Sequence, residues 1–359
     1  MNKTMTVIGR VAAITGAVLL ILLIMAYSVM WILVNGPSPT ARRLFVLSVK
    51  ETSAGGFLAD IYLADEEISE ILGSNGDDTP EEAVDVSLIQ IPSETDSSVP
   101  SASDSENGEI TDPGNGSEVG SADSGEAAAN DDGIEIIDIE GSTYNGKLLI
   151  ISDPKRIFVG VPDRYGADAS GLTVAAMIEK YDCIAGTNAG GFYDPNGNGT
   201  GGIPDGIVIY EGKILWGNLY SSYNIAALDQ NGILHVGTMT GQQAMDLGIE
   251  YAASYGPALV INGKACNENR TLGGGLNPRT VIGQRADGAI LLLVINGRSL
   301  NSLGATYDDL VEIMLSYDAV NATNLDGGSS SIMIMDGEYL TSSAYIFGER
   351  VVATAILVK

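Results

Sequence analysis

From Val11 to Val34 the chain reads VAAITGAVLLILLIMAYSVMWILV, without one charged residue. A helical run of that length crosses a bilayer, and it is too long for the apolar core of an ordinary signal peptide. It is read as an uncleaved anchor, with Tyr27 and Trp31 suited to the outer interface. Everything else must fold on one side of it or the other. Lys3 and Arg10 precede the run and Arg42, Arg43 and Lys50 follow it, so the positive-inside rule does not decide the orientation. A short tail at 1–10 and a large C-terminal part favour a cytoplasmic tail, an anchor at 11–34 and an extracytoplasmic domain. The expected location is a single-pass protein of the cell membrane.

Between Lys50 and Lys147 there is neither Lys nor Arg, and the formal net charge of the whole chain is −28. Residues 73–131 are rich in Asp, Glu, Ser, Gly and Pro and poor in apolar side chains. Such a segment cannot bury enough surface to fold, and it is predicted to be a disordered acidic linker. A flexible chain of about 60 residues reaches roughly 40–45 Å, which would hold a following domain off an anionic surface. With no basic patch visible, nucleic acid is not an expected partner. Residues 35–72 are expected to form a juxtamembrane stalk ending in a helix over Ala64–Leu72, with acids in its first turn.

Residues 134–359 are long enough to bury a full core. Strands are predicted over 147–152, 156–161 and 183–187. Hairpins are predicted over 207–216, 224–236 and 258–266, where Asn262-Gly263 is a strong turn pair. Further strands flank Arg285-Ala-Asp-Gly288 (279–284 and 289–296), bracket Asp336-Gly337 and end at 351–358. Helices are expected over 170–180, capped by Ser170, and over 244–253 and 306–316. The fold class is α+β, with mixed or antiparallel sheets and a few helices. It forms a single globular domain behind a transmembrane helix and a disordered linker.

The chain has one histidine, His235, placed in a hairpin strand and read as structural. A histidine-built zinc site is thereby excluded, and a Ser–His–Asp triad would have to use this residue. Cys183 and Cys266 are too few for a disulfide scaffold; the default reading is two small apolar side chains, with one disulfide between them outside the membrane as the alternative. Tyr210, Trp216, Tyr220 and Tyr223 are either a sugar-stacking platform or core and cross-strand aromatics.

Four constellations carry chemistry. Asn324-Leu-Asp326-Gly327-Gly328-Ser329-Ser330-Ser331 reads as strand, tight turn, strand, with one carboxylate beside glycines whose N–H groups can face a ligand. Thr187-Asn188-Ala189-Gly190-Gly191-Phe192-Tyr193 follows a buried strand, where sites are often built. Asn277-Pro278-Arg279-Thr280 puts an arginine on a rigid element, fit to clamp phosphate or carboxylate. Asp194, Asn196, Asn198, Gly199 and Asp205 match an EF-hand loop at positions 1, 3, 5 and 6, with Asp in place of Glu at 12. That loop is either a Ca²⁺ site or an ordered substrate-facing loop.

Together TNAGGFYDPNGNGTGGIPDGIVIYEGKIL, NPRTVIG, LLLVINGR, GATYDDLVEIML and NLDGGSSSIM resemble the phosphodiester glycosidase family over about 147–359. LFVLSVKETSAGGFL resembles the juxtamembrane part of membrane-anchored Gram-positive members. Where typical members read Asn-Gly-Gly-Phe-Phe, this chain has one residue more, Asn188-Ala-Gly-Gly-Phe-Tyr193. The resemblance implies hydrolysis of the C1–O bond of a sugar-1-phosphodiester in an envelope glycan or glycopolymer, with N-acetylglucosamine as the expected sugar. The leaving phosphate monoester has a second pKa of about 6 and departs without strong acid help. No required cofactor is expected, and Ca²⁺ enters only as the alternative reading of the 194–205 loop.

On this reading Asp326 is the base or electrostatic stabiliser. Arg279 and the N–H groups of Gly327 and Gly328 hold the phosphate, and Asn188 and Asn324 position sugar hydroxyls or an N-acetyl group. Thr187, Gly190, Gly191, Ser329 and Ser330 complete the substrate-binding set. The alternatives are a non-catalytic glycan-binding or polymer-assembly module and a glycosyl or glycosyl-phosphate transferase.

Overall fold

The computed structural model describes residues 2–52, 55–73, 82–91, 133–268, 271–345 and 348–359. Most of the expected linker, 74–81 and 92–131, lies outside the described residues.

The N-terminal part is helical. Helix α1 (Asn2–Asn35) contains Arg10–Asn35, long and apolar enough to cross a membrane at a mean hydropathy of 2.8. Helices α2 (Pro39–Lys50), α3 (Phe57–Asp60) and α4 (Asp65–Gly73) follow. Ser38 caps α2 by accepting from the Ala41 N–H at 3.2 Å, and Pro39 occupies the first turn, where its missing N–H costs nothing. Val34, Val46, Ala59, Leu63 and Ile68 form a small apolar core, and the Tyr27 and Tyr62 rings lie 5.3 Å apart. The region expected to be a stalk is thus a helical bundle packed on the end of α1.

The β-rich domain begins with β1 (Ile134–Glu140), β2 (Asn145–Ile151), β3 (Ile157–Gly160), α5 (Val174–Tyr181) and β4 (Ala185–Asn188). Next come β5 (Val208–Tyr210), β6 (Lys213–Trp216), β7 (Ser222–Asp229), β8 (Leu234–Thr240), α6 (Gly241–Asp246) and β9 (Ile249–Ser254). The chain continues with β10 (Ala258–Ile261), β11 (Lys264–Ala265), β12 (Arg279–Arg285), β13 (Ile290–Ile295), α7 (Tyr307–Ser316) and β14 (Ala319–Leu325). It closes with β15 (Met333–Met335), β16 (Glu338–Tyr339) and β17 (Ala355–Val358).

Three antiparallel sheets result. Their strand orders are β1-β2-β13-β12-β14-β10-β11, β16-β15-β4-β17-β3 and β6-β5-β9-β7-β8. The α+β expectation holds, with all named strand pairs antiparallel. Every residue of β13 (ILLLVI) is buried, so both faces of the first sheet are covered at its centre. Helix α7 and strand β8 both pack on β10 and β14. Leu292 of β13 is fully buried, and Leu292→Ala is expected to destabilise the protein by about 2–5 kcal/mol. Chemical denaturation in detergent checks this; a loss under 1 kcal/mol would mean the sheet is not the core.

Three local expectations are corrected. The helix expected over 244–253 ends at Asp246, because Gly248 adopts φ +70° and Ile249–Ser254 pairs as β9 between β5 and β7. The helix expected from Ser170 starts at Val174, capped by Thr173; the Ser170 hydroxyl instead donates to Thr200 O. Part of the expected linker is docked. Gln90 N donates to Ala286 O at 2.7 Å, Asp85 N to Asn262 Oδ1 at 2.7 Å, and Ile89 is buried. Val84, Ile89 and Ile91 supply the apolar contacts that the surrounding acidic sequence lacks.

Candidate active site

The 324–331 motif does not form a hairpin. β14 belongs to the first sheet and β15 to the second, so Asp326–Ile332 is a crossover between sheets. A short 3₁₀ turn at Gly328–Ser330 makes the corner, with Gly328 at φ +62°. Thr280 pairs with Leu325, so the start of β12 lies beside the end of β14 and brings Arg279 next to Asp326. Asp326 N donates to Ala189 O at 2.8 Å and ties this corner to the end of β4.

A cleft of about 630 Å³ opens over the corner, in the size range of small-molecule sites. Asp326, Gly327, Gly328, Ser329 and Ser330 line it, together with Gly191, Asp194, Asn196, Asn198, Asp205 and Arg279. Of the expected site residues, those eleven come together. At Gly191 a Cβ would press into the Tyr255 ring at 2.8 Å, so glycine is needed for the wall to close.

The remaining expected residues support the cleft from beneath. Asn188 is fully buried; its amide donates to Asp326 O at 2.6 Å and accepts from the Thr280 hydroxyl and Ile332 N. It therefore clamps the corner and does not reach a sugar. Thr187 donates to Ile332 O, and Gly190 N donates to the Thr354 hydroxyl. Asn324 is buried and donates to Gly256 O at 2.8 Å, while its Oδ1 has no hydrogen-bond partner among the described residues. The N–H groups meant for phosphate are also engaged: Gly328 N donates to Pro278 O, and Gly327 N to the Asp326 carboxylate.

Burial raises the Asp326 pKa to about 7, against the opposing pull of the Ser330 hydroxyl, Arg350 and the Gly327 N–H. Asp205 is also raised by burial. The Asp194 carboxylate is held by Arg350 in a two-pronged pair, at 2.7 and 2.9 Å, and Asp194 Oδ1 accepts from Gly199 N. The opening carboxylate of the expected Ca²⁺ loop is thus committed to a guanidinium. Among the described residues no cluster of three His, Cys, Asp or Glu side chains could hold a metal.

Three arginines meet at the cleft. Arg350 pairs with Asp194 and also donates to the Ser329 hydroxyl at 3.0 Å. Arg279 is buried, stacks on Tyr307 at 4.1 Å, donates to Ala305 O and Gly275 O, and pairs with Glu51 at 2.8 Å. Arg298 donates to neutral Asn277 Oδ1 at 3.2 Å and has no carboxylate partner among the described residues. The Arg298 residue is exposed overall, but desolvation of its guanidinium and then the charge of Arg279 pull its pKa down. Sequence reading missed Arg298, Arg350 and Glu51. Arg298 closes the hairpin motif LLLVINGR, whose pattern by itself assigns no role to its last residue.

Elsewhere, the other residues singled out in the sequence are structural. His235 is buried against Asp229 at 3.3 Å. Cys183 and Cys266 form no disulfide. Tyr210 stacks with Tyr181 and Tyr251, Trp216 with Tyr165, and Tyr220 stands in solvent. None of these aromatics lines the main cleft.

Three comparisons bear on this arrangement. The chain is 30% identical over 205 residues to the SPbeta prophage-derived uncharacterized protein YomE of Bacillus subtilis, covering 53% of this chain and 29% of that protein. It is 34% identical over 62 residues to Bos taurus N-acetylglucosamine-1-phosphodiester alpha-N-acetylglucosaminidase, covering 17% of this chain and 12% of that enzyme. The chain thus spans less than a third of either curated relative. The zebrafish N-acetylglucosamine-1-phosphodiester alpha-N-acetylglucosaminidase catalytic domain, solved auto-inhibited by its pro-peptide, shares the fold. That match has a TM-score of 0.52 at 18% identity and covers 63% of this chain and 81% of the other. The phosphodiester glycosidase family model matches residues 181–359, which hold the β4 end, Arg279, Arg298, the Asp326 corner and Arg350. The chain carries a domain of the phosphodiester glycosidase family.

Proposed function

We propose that this chain is a membrane-anchored phosphodiester glycosidase that cleaves the C1–O bond of a sugar-1-phosphodiester outside the cytoplasm. N-acetylglucosamine is the favoured sugar and an envelope glycan or glycopolymer the favoured carrier. The observation that carries the reading is the Asp326 carboxylate, raised by burial to about 7 at a cleft that also holds Arg298. Ionised Asp326 takes a proton from water as that water attacks C1. Arg298 receives the departing phosphate as charge builds on its oxygen. The family match and the bovine relative's substrate support the sugar and the bond.

The test is release of reducing sugar from an N-acetylglucosamine-1-phosphodiester by the full chain in detergent, with and without Ca²⁺. The expected result is release that rises with pH through about 7, as Asp326 ionises, and that survives chelation. Saturable binding without release would instead support a glycan-binding module. Release only in the presence of a second sugar or alcohol would support a transferase.

A further inference from the structure

The anchor-side helix reaches into the cleft. Glu51, directly after α2, receives three hydrogen bonds from the domain. Gly275 N donates to Oε1 at 3.1 Å, and Asn277 Nδ2 and an Arg279 guanidinium nitrogen donate to Oε2 at 2.7 and 2.8 Å. Thr52 lines the same cleft. The contact is close-fitted: the Ser48 hydroxyl accepts from Leu276 N at 2.9 Å, and a Cβ at Gly275 would collide with the Ser48 backbone. The 35–72 bundle is itself packed on the end of α1. The twelve residues of α2 span about 18 Å, and residues 36–38 join it directly to the membrane-length helix.

We infer that Gly275 N–H, the Asn277 amide and Arg279 form an anion cradle whose resident anion is Glu51, and that Glu51 is a positioning residue of the active site. A buried guanidinium needs a fixed counter-charge. Glu51 supplies it, holds Arg279 over Tyr307, and holds Asn277 where its Oδ1 accepts from Arg298. Arg279 is then a structural cation, and the charge left for substrate belongs to Arg298. The site is complete only with α2 docked, so the functional unit includes residues 39–52 as well as the β-rich domain. A plug that substrate must expel would need the Ser48–Gly275 seam to part at each turnover. The closeness of that seam favours the permanent role.

The part of this inference that concerns turnover rests on the proposed hydrolysis; the cradle does not. The experiment uses the full chain in detergent, as wild type, Glu51→Ala and Glu51→Gln, titrated with acetate by calorimetry and assayed for release. Acetate is expected to bind Glu51→Ala saturably at a site that the wild type, with Glu51 in place, does not offer. Turnover of Glu51→Ala is expected to fall about 10–10²-fold and to recover in part with acetate, a response that a purely structural role would not give. Glu51→Gln, which keeps an acceptor but no charge, should be impaired and unresponsive to acetate. Activity of Glu51→Ala at or above the wild type would overturn the positioning role in favour of a plug, and absence of acetate binding would overturn the cradle. If Glu51→Ala does not fold, full activity in Glu51→Gln overturns the inference. If the wild type releases no sugar while acetate still binds Glu51→Ala, the hydrolysis fails and the cradle stands.

Discussion

Asp326→Asn should lower turnover by about 10²–10⁴-fold and, above pH 7, raise the melting temperature. The first effect follows from removing the base: positioned proton transfer contributes about 10²–10⁴-fold, and an amide cannot accept the proton. The second follows from linkage. The folded pKa of Asp326 is about 7, well above the ordinary carboxylate value of 3.8. Between these pH values the native state keeps a proton that the unfolded chain has released. Stability therefore falls as pH rises from about 4 to 7 and is flat beyond. Three pK units would be worth about 4 kcal/mol, and the partial exposure of Asp326 at the cleft floor makes that a ceiling. For a domain of about 225 residues each kcal/mol recovered raises the melting temperature by about 2–4 °C. Asparagine removes the charge and keeps an oxygen for the Ser330 hydroxyl or the Gly327 N–H. Scanning calorimetry at pH 4 and pH 8 separates the cases: the variant should melt higher at pH 8 and like wild type at pH 4. An equal or lower melting temperature at pH 8 would mean Asp326 is ionised without strain, and retained turnover would remove it from the chemistry.

Much of the fold was legible because its signals are local. Asn262-Gly263 and Asp336-Gly337 both adopt positive φ and make the tight turns their sequences announce. The capping residue of α7, Thr306, stands one residue before the helix, with Asp309 closing the box. The failures came where a local signal competes with a distant partner. Ala244–Ala253 has helical spacing, yet Ile249–Ser254 gains a place between two strands, which no local pattern reveals. Helix α2 has a start signal in Ser38-Pro39, but the mixed periodicity of 41–72 masks the helix that follows it.

The candidate site divides along the same line. Asp326 and its glycines could be read from the chain, because a carboxylate in a Gly-rich corner is a chemical signal in itself. The partners of each polar group could not. Asn188 looked like a ligand-facing amide and is a buried clamp; Asp194 looked like a calcium ligand and holds Arg350. Arg279 and Glu51 are 228 residues apart, and nothing in either neighbourhood names the other.

On the proposed hydrolysis those pairings leave the phosphate to Arg298, and Arg298→Ala should lower kcat/KM by about 10²–10³-fold, the usual cost of a lost anion donor. The argument is one of charge accounting. Arg350 is neutralised by Asp194 and Arg279 by Glu51, each through a close ion pair. Among the described residues the Arg298 guanidinium makes no direct ion pair; it donates to an amide oxygen at 3.2 Å and feels Glu51 and Asp326 only at longer range, so its N–H groups are open to a ligand. Its guanidinium also stands against Gly328, within about 3 Å of where a side chain there would begin, which sets it directly over the Asp326 corner. Asn277 aims it, and Asn277 is in turn held by Glu51. Because the leaving oxygen gains charge as C1–O breaks, the loss should fall mainly on kcat, with a smaller change in KM. Arg298→Lys should recover part of the rate, since it restores charge without the planar fork. Substrates with a better leaving group than an alkyl phosphate should suffer less from the alanine variant. Measuring kcat and KM for wild type and both variants on two such substrates decides the matter. An undiminished kcat in Arg298→Ala would return the phosphate to Arg350 or Arg279, at the expense of one of their carboxylate pairs.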